Sequence, residues 1–163
     1  MLSRLLRAYQ RLKVKGGNMK ANSYIREVEA VFKTNGTKRK VKIKCSKDVY
    51  ELFCDLKDAT QEKLVTLHLA GDNTILCFQV VHIGSINSAF CEPADIIRTA
   101  LLTGAVGLIL VHNHPSGDPT PSPEDKNAIK QVKEACQLFH LKLFDSVIIG
   151  KGSYYSVADE KEI

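Results

Sequence analysis

Residues Gly107 to Asp125 read GLILVHNHPSGDPTPSPED, and this stretch decides how the rest of the chain is understood. Leu108 to Val111 is four consecutive apolar residues, the pattern of a central strand buried on both faces. The strand ends in His112-Asn113-His114. A turn rich in proline follows, and Ser122-Pro123-Glu124-Asp125 then opens a helix. Alternate residues of an extended chain point to one face, so His112 and His114 converge there and Asn113 points away. Asp125 follows His114 after ten intervening residues, and a turn that folds back brings its carboxylate to the same point. Two imidazoles and a carboxylate suit zinc and leave a fourth tetrahedral position open, the arrangement of a catalytic rather than a structural site.

A zinc site of this kind needs a group to relay the proton of the attacking water. Glu62, at the start of a strand, is the candidate, on condition that the sheet sets it beside the metal. Ser122 is placed to donate a hydrogen bond to a developing oxyanion. It also forms an S-x-x-D pattern with Asp125, a variant of the helix capping box, and the two roles are compatible. Asp118 is an alternative ligand, although Gly117-Asp118-Pro119 reads first as turn chemistry. His68 and His82 alternate with apolar residues in strands and read as packed side chains. His140 lies at a helix end, where a cation complements the dipole. The letters His-Asn-His are not those of an HNH nuclease, whose three residues are spread over a ββα element.

Outward from this stretch, Ser46 is expected to cap a helix reaching about Leu56, with Val49, Leu52, Phe53 and Leu56 on one face. Glu62–Ala70 and Thr74–Ile83 read as a hairpin around Gly71-Asp72-Asn73. Pro93 opens a helix over Ala94–Leu102 that Gly104 ends. The helix begun at Ser122 runs to about Phe139. Leu143–Gly150 and Tyr154–Val157 close the chain as strands. The order predicts an α/β fold with helices on a mixed β-sheet.

The chain has 163 residues, 44% apolar and 25% charged, as expected of one globular domain with a short appendage. No apolar run approaches the ~20 residues that span a bilayer. Five scattered cysteines without a C-x-x-C pair argue against a disulfide framework or a thiolate zinc site, and point to a reducing, cytoplasmic setting. The net charge of +5 is unevenly spread. Residues 1–44 carry thirteen Lys/Arg against two Asp/Glu, a net +11, and the remainder is −6. The chain therefore divides into a basic segment, 1–44, and a domain, 45–163. Such a segment either meets nucleic acid phosphates or is simply solvated. Residues 1–15 form a basic amphipathic pattern, similar in composition to a transit peptide or a membrane-surface helix. Met19 offers a second start, so 1–18 is set apart from the fold. Ile25–Lys33 fits neither helix nor strand well. Lys38–Cys45 alternates as an edge strand guarded by lysines.

HNHPSGDPTPSPED resembles the signature of the RadC family, within the JAB/MPN superfamily of JAMM metalloproteases. His112, His114, Ser122 and Asp125 match the JAMM pattern of H-x-H, ten residues, then aspartate, with S-x-x-D at its end. The resemblance extends from about Ser46 to Val157. It takes in the Glu62–Ile83 hairpin, the loop Gly84-Ser85-Ile86-Asn87-Ser88 and the closing Phe144–Gly150. It implies a cytidine-deaminase-like fold with a mixed sheet between helices, and Zn2+ held by His112, His114 and Asp125. Glu62 stands where the family's catalytic glutamate is expected, with Glu92 a more distant alternative. The activity implied is hydrolysis of a peptide or isopeptide bond in an unidentified protein or peptide substrate. The DNA-repair association of the family usually rides on a helix-hairpin-helix region, which residues 1–44 are too short and polar to form.

Overall fold

The computed structural model describes residues 31–32, 41–84 and 92–163. The amphipathic pattern of 1–15, most of the 25–33 segment, residues 38–40, Cys91 and the 85–88 loop lie outside these. The five strands are β1 (Lys63–Leu69), β2 (Ile75–Ile83), β3 (Gly107–Asn113), β4 (Lys142–Ile149) and β5 (Tyr154–Ser156). They form one sheet in the order β2-β1-β3-β4-β5. Only β3 and β4 run parallel. The remaining neighbours are antiparallel, so the sheet is mixed.

Among the described residues three α-helices cover the sheet: α1 (Ser46–Phe53), α2 (Pro93–Thr103) and α3 (Pro123–Leu138). Leu64, Leu108 and Leu110 face a core built with Ile96, Ile97 and Ala100 of α2 and Ile129, Val132 and Cys136 of α3. Val65, Leu67, Ile109, Val111 and Val147 face the other way, onto Val49 of α1. The parity of each strand thus sorts its apolar residues between two cores. β3 sits in the middle, and all seven of its residues are buried. Each of its large aliphatic side chains contributes roughly 1.5–3 kcal/mol through burial. The expected three-layer arrangement is the one observed, with α2 and α3 on one face and α1 on the other.

Local differences have local causes. Cys45, not Ser46, is the N-cap of α1. The Asp48 carboxylate accepts the N–H groups of Lys44 and Cys45, so the first turn is capped by Asp48 reaching back rather than by Ser46. Ser46 instead turns its hydroxyl to Asp159 and Tyr154. The α-helix stops at Phe53 and continues as a 3-10 turn, Cys54–Asp58. Among the described residues of the expected Lys38–Cys45 strand, a single antiparallel bridge, Lys42 to Thr74, is formed. It lies beside the hairpin turn, where Asn73 takes a positive φ of 61°. Gly104 ends α2 as expected. Among the described residues the cysteines are free, and no helix is long and apolar enough to cross a membrane.

Candidate metal centre

The end of β3 sets the geometry. His112 continues the parity of Leu108 and Leu110 and faces α3, while Asn113 takes the opposite face and is fully buried. His114 lies one step past the strand, its N–H donating to the Ile149 carbonyl at 3.0 Å. The chain then turns. Gly117 N–H donates to the His114 carbonyl at 2.9 Å, and Lys151 N–H to the Gly117 carbonyl at 2.8 Å. Gly117 has φ +90°, a conformation costly for a residue with a Cβ. A Cβ on Gly150 would stand 2.5 Å from the Gly117 carbonyl oxygen and 2.7 Å from Pro119. The absence of a side chain there lets the proline turn lie against the end of β4 and carry the chain back to α3.

Ser122 receives that chain as the N-cap of α3. Its Oγ accepts the Asp125 N–H at 3.1 Å. In return Asp125 Oδ2 accepts the Ser122 N–H at 2.8 Å and its hydroxyl at 2.6 Å. The capping box and the expected ligand are therefore one construction. Asp125 Oδ2 also stands 3.3 Å from His114 Nε2, and Oδ1 stands 3.3 Å from His112 Nε2. The two imidazole Nε2 atoms are 3.2 Å apart. Glu62 completes the group, its Oε1 3.9 Å from His114 Nε2. The four side chains each offer a ligand atom, and these atoms all lie within 4.8 Å of one another.

The distance between the two imidazole nitrogens matches one edge of a tetrahedral ion. Bonds of about 2.0–2.1 Å to nitrogen and oxygen place neighbouring ligand atoms roughly 3.3 Å apart. The His112–His114 edge is 3.2 Å, and Asp125 meets each imidazole at 3.3 Å through a different oxygen, Oδ1 towards His112 and Oδ2 towards His114. The His114 ring is oriented by its other nitrogen. Nδ1 lies 2.7 Å from the Asp118 carbonyl, which only accepts, so Nδ1 carries a proton and Nε2 faces the cluster, offering a lone pair to a cation once its own proton is lost. The Asp118 carboxylate, an alternative ligand by sequence, accepts the Thr120 N–H instead, and Asp118 serves the site through its main-chain oxygen. Residue type carries no signal for the direction of a carbonyl. Glu92 immediately precedes α2 and is not part of the cluster.

The electrostatics follow. Burial pushes the Asp125 carboxyl up, but hydrogen bonds from His112, His114 and Ser122 outweigh it and hold the group well below the usual carboxylate range. The hydrogen bond with Asp125 raises His114 above the ordinary histidine value against an opposing desolvation, helped by the Asp118 carbonyl. Metal-free, the cluster is a proton trap, and a cation that displaces the proton meets an ionised carboxylate already in place.

A family model described as a RadC-like JAB domain matches residues 43–162. A UPF0758 protein of Aquifex aeolicus is 37% identical over 150 residues, covering 91% of this chain and 65% of the relative. A UPF0758 protein of Methanosarcina mazei is 41% identical over 122 residues, covering 74% and 53%. One of Carboxydothermus hydrogenoformans is 43% identical over 115 residues, covering 70% and 51%. The chain thus spans between half and two thirds of the length of these relatives. With the match running through the strand, the turn and the helix that assemble the cluster, the chain belongs to the RadC-like JAB domain family.

Proposed function

We propose that the 45–163 domain is a zinc-dependent metallohydrolase of the JAMM type, acting on a peptide or isopeptide bond. The observation that carries this reading is the convergence of His112, His114, Asp125 and Glu62, whose ligand atoms all lie within 4.8 Å of one another. His112, His114 and Asp125 would hold the metal, which supplies Lewis acidity and brings water within reach of ionisation near neutral pH. Glu62, partly exposed beside the cluster, takes the proton of the attacking water and passes it to the leaving amine. Ser122 holds Asp125 in register through its hydroxyl, and it acts as an oxyanion donor only when that proton turns from Asp125 to the substrate. Family membership supports the amide class of bond.

Metal analysis of protein purified without a histidine tag tests the first half, with about one zinc per chain expected. Mapping new protein termini in cells that carry wild type or Glu62→Gln tests the second. Termini seen with wild type and lost with Glu62→Gln support the reading, and identical profiles would remove it. A second reading, nucleic acid binding, draws on the net +11 of residues 1–44. Deleting those residues should abolish any DNA binding and its salt dependence. Binding that ignores the deletion counts against the arm.

A further inference from the structure

We infer that Asn113 is the positioning residue for Glu62, its side-chain amide clamping the backbone on both sides of that glutamate. The inference rests on the reading of Glu62 as the base. Lys63 N–H donates to Asn113 Oδ1 at 2.9 Å, and Asn113 Nδ2 donates to the Gln61 carbonyl at 3.2 Å. These are the groups immediately before and after Glu62. The β1–β3 ladder pairs Leu64 with His112 as its last step, so Gln61 and Glu62 lie beyond it. On the β2 side the Glu62 carbonyl accepts the Gly84 N–H at 2.8 Å. On the β3 side the Asn113 amide takes the place of a peptide group, giving one donor and one acceptor to consecutive partners.

The residue type matters. Aspartate would present a second acceptor to the Gln61 carbonyl, leucine would present nothing, and serine could not reach both groups with one oxygen. Asn113 is fully buried, so its own amide has no water to replace these bonds, and the two backbone groups it serves lie at the partly buried end of β1. The consequence is geometric. His112 and His114 supply nitrogens on one face, and the residue between them fixes Glu62 from the other. The glutamate is thereby referenced to the ligands through one tripeptide, not through the long path around the hairpin.

The test uses cobalt(II) as the metal probe, with amide exchange as a reading that needs no metal. In Asn113→Ala, exchange at Lys63 N–H should accelerate by about tenfold or more while Thr66 and Leu67 keep their protection. Loaded with cobalt, Asn113→Ala should show the visible absorption change produced by Glu62→Gln, and the double variant should add nothing. Cobalt affinity should stay within about threefold of wild type, because the ligands are untouched. Unchanged Lys63 exchange, or a wild-type cobalt spectrum in Asn113→Ala, would overturn the inference. So would a loss of affinity of tenfold or more, since Asn113 would then act on the ligands. If Asn113→Ala does not fold, the wild type decides. Its Asn113 side-chain N–H protons must exchange slowly, and exchange at solvent rates would overturn the clamp. A wild type that takes up no cobalt would sink the metallohydrolase reading, while the exchange data would still score the clamp.

Discussion

His68 and His112 sit on the same face of neighbouring strands, at opposite ends of one ladder: His68 pairs with Leu108 and His112 with Leu64. Four residues of strand, about 13 Å, separate these positions. Both side chains are buried, and their chemistry differs. His68 Nε2 meets the Thr66 hydroxyl at 2.9 Å, and its Nδ1 has no hydrogen-bond partner among the described residues. Burial pushes its pKa down to about 4. His112 and His114 meet the ionised Asp125, and His114 is shifted upward. Burial alone removes charge from a histidine. A carboxylate held in place by its own capping box restores affinity for a cation. The site is therefore made as much by the return of the chain to Asp125 as by the two histidines.

The contrast can be broken at several points. The largest effect is expected from Asp125→Asn. Removing one of three ligands from a binding free energy of about 10–16 kcal/mol should weaken zinc roughly a thousandfold by calorimetric titration. His68→Gln should leave the affinity within about twofold, because it lies far from the cluster. A large effect of His68→Gln would mean that the two ends of the ladder are coupled.

The second effect is on stability against pH. The folded value of His68, about 4, lies below its unfolded value near 6.5, so the unfolded chain takes up the proton first as pH falls. The stability it contributes is complete above pH 6.5 and is lost towards pH 4, by up to about 3 kcal/mol. His114 works with the opposite sign in the metal-free protein. Its raised value adds stability below the unfolded pKa, and this is lost as pH rises through the folded value. Urea unfolding of His68→Leu between pH 7 and 4 should lack most of the acid-side loss. An unchanged acid limb would assign that loss to another group.

Smaller effects remain. Ser122→Ala removes both the cap and the Asp125 hydrogen bond and should cost about 1–2 kcal/mol in unfolding free energy. It should also weaken zinc by roughly tenfold. Thr66→Val deprives His68 of its partner and should cost about 1 kcal/mol, with no change in zinc affinity.

Much of this was legible in the residues. The apolar run Leu108–Val111 announced a strand buried on both faces, and β3 is the central strand. The spacing of His112, His114, Ser122 and Asp125 pointed to one cluster, and those side chains do converge. What escaped reading depends on direction rather than identity. The Asp118 carbonyl orients His114 through a main-chain atom that every residue has. Parity turns Asn113 from the face of the two histidines, yet that same parity delivers its amide to Gln61 and Lys63. The position of Glu62 could not be known until the register of β1 on β3 placed residue 64 opposite residue 112. The cap of α1 lies one residue before the serine that the pattern points to, because Asp48 reaching back leaves the same pattern as a serine reaching forward.

The central claim is that Asp125, His112 and His114 form a preorganised zinc site. Titration of the metal-free, untagged protein with zinc at neutral pH, monitored by calorimetry, tests it most directly. The expected result is a single site of about one ion per chain, with proton release that grows as pH is lowered and the trapped proton must be displaced. A flat titration, or binding that survives Asp125→Asn unchanged, would contradict it.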